Sequence, residues 1–154
     1  MSFEKIIDFT LKWEGGNKIT RDPHDPGGVT KYGISHKAHP SVDIENLTLD
    51  EAKVIYKMEY WDKIAKGEDD NLDMVCFDTS VNLGVGRVRK WLREGITYKD
   101  ILEDRRDWYN YLTIINPKMG KYLKGWMNRC DALEKFIGEM LYGSRHKFRI
   151  RECL

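Results

Sequence analysis

Residues 3–35 read FEKIIDFTLKWEGGNKITRDPHDPGGVTKYGIS, and the change of pattern inside this stretch decides the architecture. Phe3, Ile6, Ile7 and Leu11 recur at helical spacing, so an amphipathic helix is predicted over residues 3–14. Gly15-Gly16 stops it. Asp22-Pro23, Asp25-Pro26 and Gly27-Gly28 then follow within a few residues, a density of breakers that no helix survives. An irregular loop or a short hairpin is expected there. On the helical wheel Glu14 falls only about 20° from Phe3, in the middle of the apolar stripe and on the last turn. Burial and the negative end of the helix dipole both disfavour the ionised carboxylate, which is the property a general acid needs near neutral pH.

Outside this stretch the helical pattern returns. Thr48-Leu49-Asp50-Glu51 is a capping box that opens a helix to about residue 61. Residues 71–83 carry Leu72, Val75, Cys76, Thr79 and Leu83 on one face, closed by Gly84 and Gly86. A short basic helix is expected at 87–94. Thr97-x-x-Asp100 starts a long helix that ends before Asn116-Pro117. A final helix is expected over 126–142, with a basic tail after Gly143. The chain has 154 residues with 41% apolar and 33% charged side chains, enough for one domain with a sizeable core and unlike a disordered or fibrous sequence. The fold class expected is α+β, mainly α, as a single domain with a Gly/Pro-rich loop or small hairpin after the first helix.

The charge is nearly balanced overall but unevenly spread. Residues 1–77 hold 10 basic and 15 acidic residues, and residues 78–154 hold 16 and 10. The C-terminal part is therefore expected to approach something anionic. Cys76, Cys130 and Cys153 are an odd number, widely spaced and without a CxxC pair, which suits a chain made in a reducing cytosol. No long apolar stretch and no cationic, apolar leader are present, so no integral membrane segment is expected.

After Glu14, the loop brings back Asp22, Asp25 and the hydroxyl of Thr30. Gly27, Gly28 and Gly33 permit close approach of a substrate, and Pro23 and Pro26 stiffen the loop. A helix-end acid facing an aspartate and a hydroxyl is the arrangement of an inverting glycosidase. The acid protonates the leaving oxygen while the aspartate and hydroxyl orient an attacking water. Either aspartate fits the second role, and each could instead serve only its turn before proline.

The stretch EGGNKITRDPHDPGGVTKYGIS resembles the opening motif of glycoside hydrolase family 108, the phage and bacterial N-acetylmuramidases. Phe77-Asp78-Thr-Ser-Val-Asn82-Leu-Gly84 is similar to that family's central helix, and Gly125-Trp126-Met-Asn128-Arg129 to its C-terminal peptidoglycan-binding part. The resemblance implies a lysozyme-like fold, with a catalytic part over residues 1–95 and a helical, peptidoglycan-binding-like part over 96–154. It also implies cleavage of the β-1,4 bond between N-acetylmuramic acid and N-acetylglucosamine, with Glu14 as the acid. Asp25 is assigned to water activation and Thr30 to holding that water. Asp22, Tyr32, Asp78, Asn82, Trp126 and Arg129 are the candidate substrate contacts. No cofactor and no metal are expected. The protein is expected to be an endolysin-like monomer made in the host cytoplasm, acting on bacterial peptidoglycan in the periplasm and released by a separate holin-type protein.

Three other classes remain in view. A lytic transglycosylase would use the same glutamate. A nucleic-acid binder is suggested weakly by Val85-Gly-Arg-Val-Arg-Lys-Trp-Leu-Arg93, a turn followed by a basic helix, but this leaves the Glu14 loop unexplained and no nucleic-acid partner is expected. A zinc amidase built from His24, His36, His39 and a cysteine is disfavoured by Pro40, which follows His36-x-x-His39, and by the lack of a third ligand in register. A non-catalytic wall-binding protein would not need Glu14.

Overall fold

The computed structural model describes residues 2–21, 28–64, 67 and 69–151, with side chains described to residue 141. The elements, in order, are α1 (Ser2–Trp13), β1 (Thr20–Arg21), β2 (Val29–Lys31), β3 (Ile34–Ser35) and α2 (Leu49–Glu59). They continue with α3 (Asp70–Leu83), α4 (Val85–Trp91), α5 (Tyr98–Ile115) and α6 (Gly120–Arg151). The fold is mainly α with a little β, as expected. Two compact units divide it, Met1–Lys90 and Trp91–Leu154.

In the first unit α1 buries Phe3, Ile6, Ile7 and Leu11, the residues whose spacing predicts it. It ends where Gly15 and Gly16 adopt φ of +95° and +57°, conformations that cost an L side chain energy and cost glycine little. The loop that follows forms a small antiparallel sheet in the order β1-β2-β3, pairing Thr20 with Thr30 and Lys31 with Ile34. The β2–β3 connection is the two-residue turn Tyr32-Gly33, with φ of +53° and +76°, the type I′ signature whose twist matches paired strands.

The capping box of α2 is present. Thr48 Oγ1 accepts from the Glu51 N–H at 3.3 Å and the Glu51 carboxylate accepts from the Thr48 N–H at 2.8 Å. The sequence predicts α3 as a one-faced amphipathic helix, yet every residue from Asp73 to Ser80 is buried, while Leu72 and Leu83 are only half-buried. Polar side chains enter this core because each finds a partner. Thr10 donates to Asp78 at 2.9 Å, and Asp73 accepts from the Gly67 N–H at 3.1 Å. Trp61 and Phe77 both pack on Phe3 with ring centroids 5.5 Å away.

In the second unit α5 opens with the capping box of Thr97 and Asp100 and closes before Pro117, as the sequence predicts. It pairs antiparallel with α6. Tyr109 stacks on Trp126 at 4.8 Å, and Arg106 reaches Asp131 at 2.9 Å and Glu134 at 2.8 Å. The expected start of the last helix at 126 and its end near 142 are both corrected. α6 begins at Gly120, runs through Gly125 and Gly143, and extends for 32 residues. An interior glycine costs about 1 kcal/mol, and at Gly125 the α5–α6 seam, which buries Cys130, Leu133 and Ile137, offsets it. Among the described residues no helix is long and apolar enough to cross a membrane.

Candidate active site

Glu14 stands one residue beyond α1, and its N–H still donates to the Thr10 carbonyl at 3.0 Å, so the helix geometry carries through to it. Its side chain is half-buried and lies against the β2–β3 turn. The contact is close enough to exclude any side chain at residue 33. A Cβ there would sit 2.8 Å from Glu14 Cβ, 3.2 Å from Glu14 Oε2 and 2.6 Å from the Tyr56 hydroxyl. Gly33 is therefore glycine for two reasons, its positive φ and the space that Glu14 and Tyr56 occupy.

Two links hold this turn in place. The Tyr32 N–H donates to the Gly16 carbonyl at 2.9 Å, tying the turn to the residues that end α1. The Tyr56 hydroxyl donates to the Tyr32 carbonyl at 2.8 Å, tying it to α2. Tyr56 is buried and stacks on Tyr60 with ring centroids 5.7 Å apart. The Tyr60 phenol is held above its usual value, first by burial and then by the carboxylates of Glu59 and Glu14. Glu59 in turn meets His39 Nε2 at 2.7 Å. The site so defined is one half-buried carboxylate against the Tyr32-Gly33 turn, with the Tyr56 hydroxyl packed on the same glycine.

The sequence-predicted residues fall into three groups. Thr30 occupies the centre of β2, paired with Thr20 and Ser35, and Tyr32 forms the turn under Glu14, so both sit on the sheet that Glu14 leans on. Asp22 and Asp25 lie outside the described residues, as does His24. Of the expected substrate contacts, Asp78 and Arg129 are buried, while Trp126 is half-buried. Asp78 is wholly buried and accepts the Thr10 hydroxyl between α1 and α3. Trp126 stacks on Tyr109 and lies tilted against Tyr122, and Arg129 is buried on the same helix, α6. Asn82 is half-buried near the end of α3. Tyr56 and Tyr60 were not among the sequence candidates. Their only trace there is an aromatic pair at i and i+4 on a well-capped helix, a spacing equally common in cores. Among the described residues no cluster of His, Cys, Asp and Glu is placed to hold a metal ion.

The family model described as glycosyl hydrolase 108 matches residues 7–84, which span α1 beyond its first turn, the sheet, α2 and α3. Among solved structures the chain is similar to that titled "Structure of Brucella abortus SagA", at 20% identity and a TM-score of 0.62. That likeness covers 88% of this chain and 92% of the other and concerns the fold. No curated protein matches the chain. A match over just over half of the chain, with Glu14, Gly33 and Tyr56 inside it, decides the assignment: the chain belongs to the glycosyl hydrolase 108 family and is a glycoside hydrolase of the peptidoglycan-degrading type.

Proposed function

We propose that this glycoside hydrolase cleaves the β-1,4 bond between N-acetylmuramic acid and N-acetylglucosamine in bacterial peptidoglycan, with Glu14 as the general acid. The supporting observation is the seat of Glu14. Its carboxylate lies against the Tyr32-Gly33 turn, which also carries the Tyr56 hydroxyl. A proton donor must be held within hydrogen-bond reach of the glycosidic oxygen, and a half-buried carboxylate packed against a tight turn on one side suits that need.

In this reading Glu14 gives its proton to the leaving oxygen as the bond to the anomeric carbon breaks. Asp25 takes a proton from the attacking water, and Thr30 holds that water with its hydroxyl. Asp22 remains the alternative to Asp25. Tyr32 and Asn82 are the remaining candidates for contacts with the sugar chain. Catalysis belongs to residues 1–95. The protein acts as a monomeric endolysin on the wall and depends on a separate membrane hole for release.

Mass spectrometry of peptidoglycan digests, before and after borohydride reduction, tests the reaction. Reducible muramic acid ends are expected. Anhydro-muramic ends would make the enzyme a transglycosylase using the same glutamate, and released peptides without sugar cleavage would overturn the glycosidase reading.

A further inference from the structure

The closed end of the α5–α6 hairpin exposes side chains that globular surfaces rarely leave to water. Ile114 is 76% exposed, Ile115 57%, and Tyr111 and Tyr122 47% each. Single exposed apolar residues are ordinary, but here four bulky ones fall within twelve residues: Tyr111, then Ile114 and Ile115 in the last turn of α5, and Tyr122 in the first turn of α6. From Trp108 to Cys130 the sequence holds no acidic residue, whereas Lys118, Lys121 and Lys124 are all exposed on the same stretch. None of the three forms an ion pair with another described residue. Lys121 Nζ sits over the Tyr122 ring at 4.8 Å.

We infer that this hairpin end is a docking surface for an anionic lipid bilayer. The combination fits three depths of such a surface. Aliphatic side chains enter the acyl region, tyrosines lodge at the headgroup level, and lysines meet phosphate. The other occupants fit less well. A second copy meeting the same patch across a two-fold axis would set lysines against lysines. A glycan stacks on aromatic faces and gains little from two branched aliphatics that are more exposed than either tyrosine. A nucleic acid would use the lysines and leave both isoleucines in water. The surface is peripheral in kind, since no described helix is fit to span a membrane. It places the enzyme on the membrane side of the wall, independently of the chemistry at Glu14.

The test uses the full chain with sedimented vesicles of phosphatidylcholine alone or mixed with phosphatidylglycerol. Binding is expected to the anionic vesicles and to weaken as salt rises. Replacing all three lysines by glutamine should lower partition roughly fivefold per lysine, on the order of 100-fold in total, and abolish the preference for anionic lipid. The Ile114→Ser, Ile115→Ser pair should lower it by about tenfold or more while the salt dependence stays. Both variants should keep the wild-type thermal midpoint and wild-type turnover of soluble peptidoglycan fragments, which separates lost docking from lost folding. Absent vesicle binding, or binding untouched by either variant, would overturn the inference. So would variants that lose retention on lipid-free sacculi, or a concentration-dependent dimer that the isoleucine pair dissolves, since these assign the surface to the glycan or to a second copy.

Discussion

Replacing Gly33 by alanine probes the seat of Glu14 without touching any group that does chemistry. Two costs follow from the structure. The backbone at residue 33 has a φ of +76°, where an L side chain costs about 1–2 kcal/mol. The added methyl would also meet the Tyr56 hydroxyl at 2.6 Å and Glu14 Cβ at 2.8 Å. To regain ordinary contact these atoms must retreat by about 0.8 Å and 0.6 Å. Neither moves freely. The Tyr56 hydroxyl is bonded to the Tyr32 carbonyl, and Glu14 Cβ is fixed to the end of α1. Overpacking of this kind costs about 1–3 kcal/mol, so the total destabilisation is about 2–5 kcal/mol. A shift of that size in a reacting group lowers kcat on the order of 10- to 100-fold. Gly95→Ala is the control, because φ there is +71° and nothing lies within 4 Å of the added methyl. It should show only the backbone cost and no loss of kcat. Urea unfolding and initial rates on soluble peptidoglycan fragments measure both quantities. A Gly33→Ala enzyme as active as Gly95→Ala and no less stable would refute the close seat of Glu14.

Glu14→Gln should fold normally and lose roughly 10³-fold in lytic rate, since an amide supplies no proton; clearing of a wall suspension at a tenth of the wild-type rate would sink the assignment. Asp25→Ala should cost on the order of 10²–10⁴-fold in rate, while Asp22→Ala should act mainly on loop stability; the reverse order in a rate and unfolding comparison moves the water-activating role to Asp22. Tyr56→Phe keeps the ring but removes the 2.8 Å bond to the Tyr32 carbonyl, so it should cost about 0.5–1.5 kcal/mol and lower kcat more than it changes KM; an unchanged kcat would show that the bond does not bear on Glu14. Asp100 is held below the ordinary value of 3.8 by the Thr97 side chain and then by its N–H, so the cap stabilises α5 above that pH and is lost as pH falls through the lowered value. The gap in thermal midpoint between wild type and Asp100→Ala should therefore be full near neutrality and shrink below about pH 4; a gap that widens on acidification would contradict it.

What the sequence determined by itself is whatever acts within a few residues. The capping boxes at Thr48 and Thr97, the stop at Gly15-Gly16 and the break at Asn116-Pro117 all appear where the pattern puts them, because each is a local contest for backbone hydrogen bonds. Glu14, expected on the last turn of the first helix, stands one residue past α1 with its N–H still bonded to the Thr10 carbonyl. Tertiary structure decided the rest. Gly33 is required by a tyrosine 23 residues further along and a glutamate 19 residues before it, a spacing no periodicity encodes. Asp78 looked available for substrate and became an internal partner of Thr10, 68 residues away, because α1 and α3 pack face to face. Gly125 and Gly143 read as helix ends, yet α6 passes through both; at Gly125 the burial of Arg129, Cys130, Leu133 and Ile137 along the α5–α6 seam outweighs a propensity of about 1 kcal/mol.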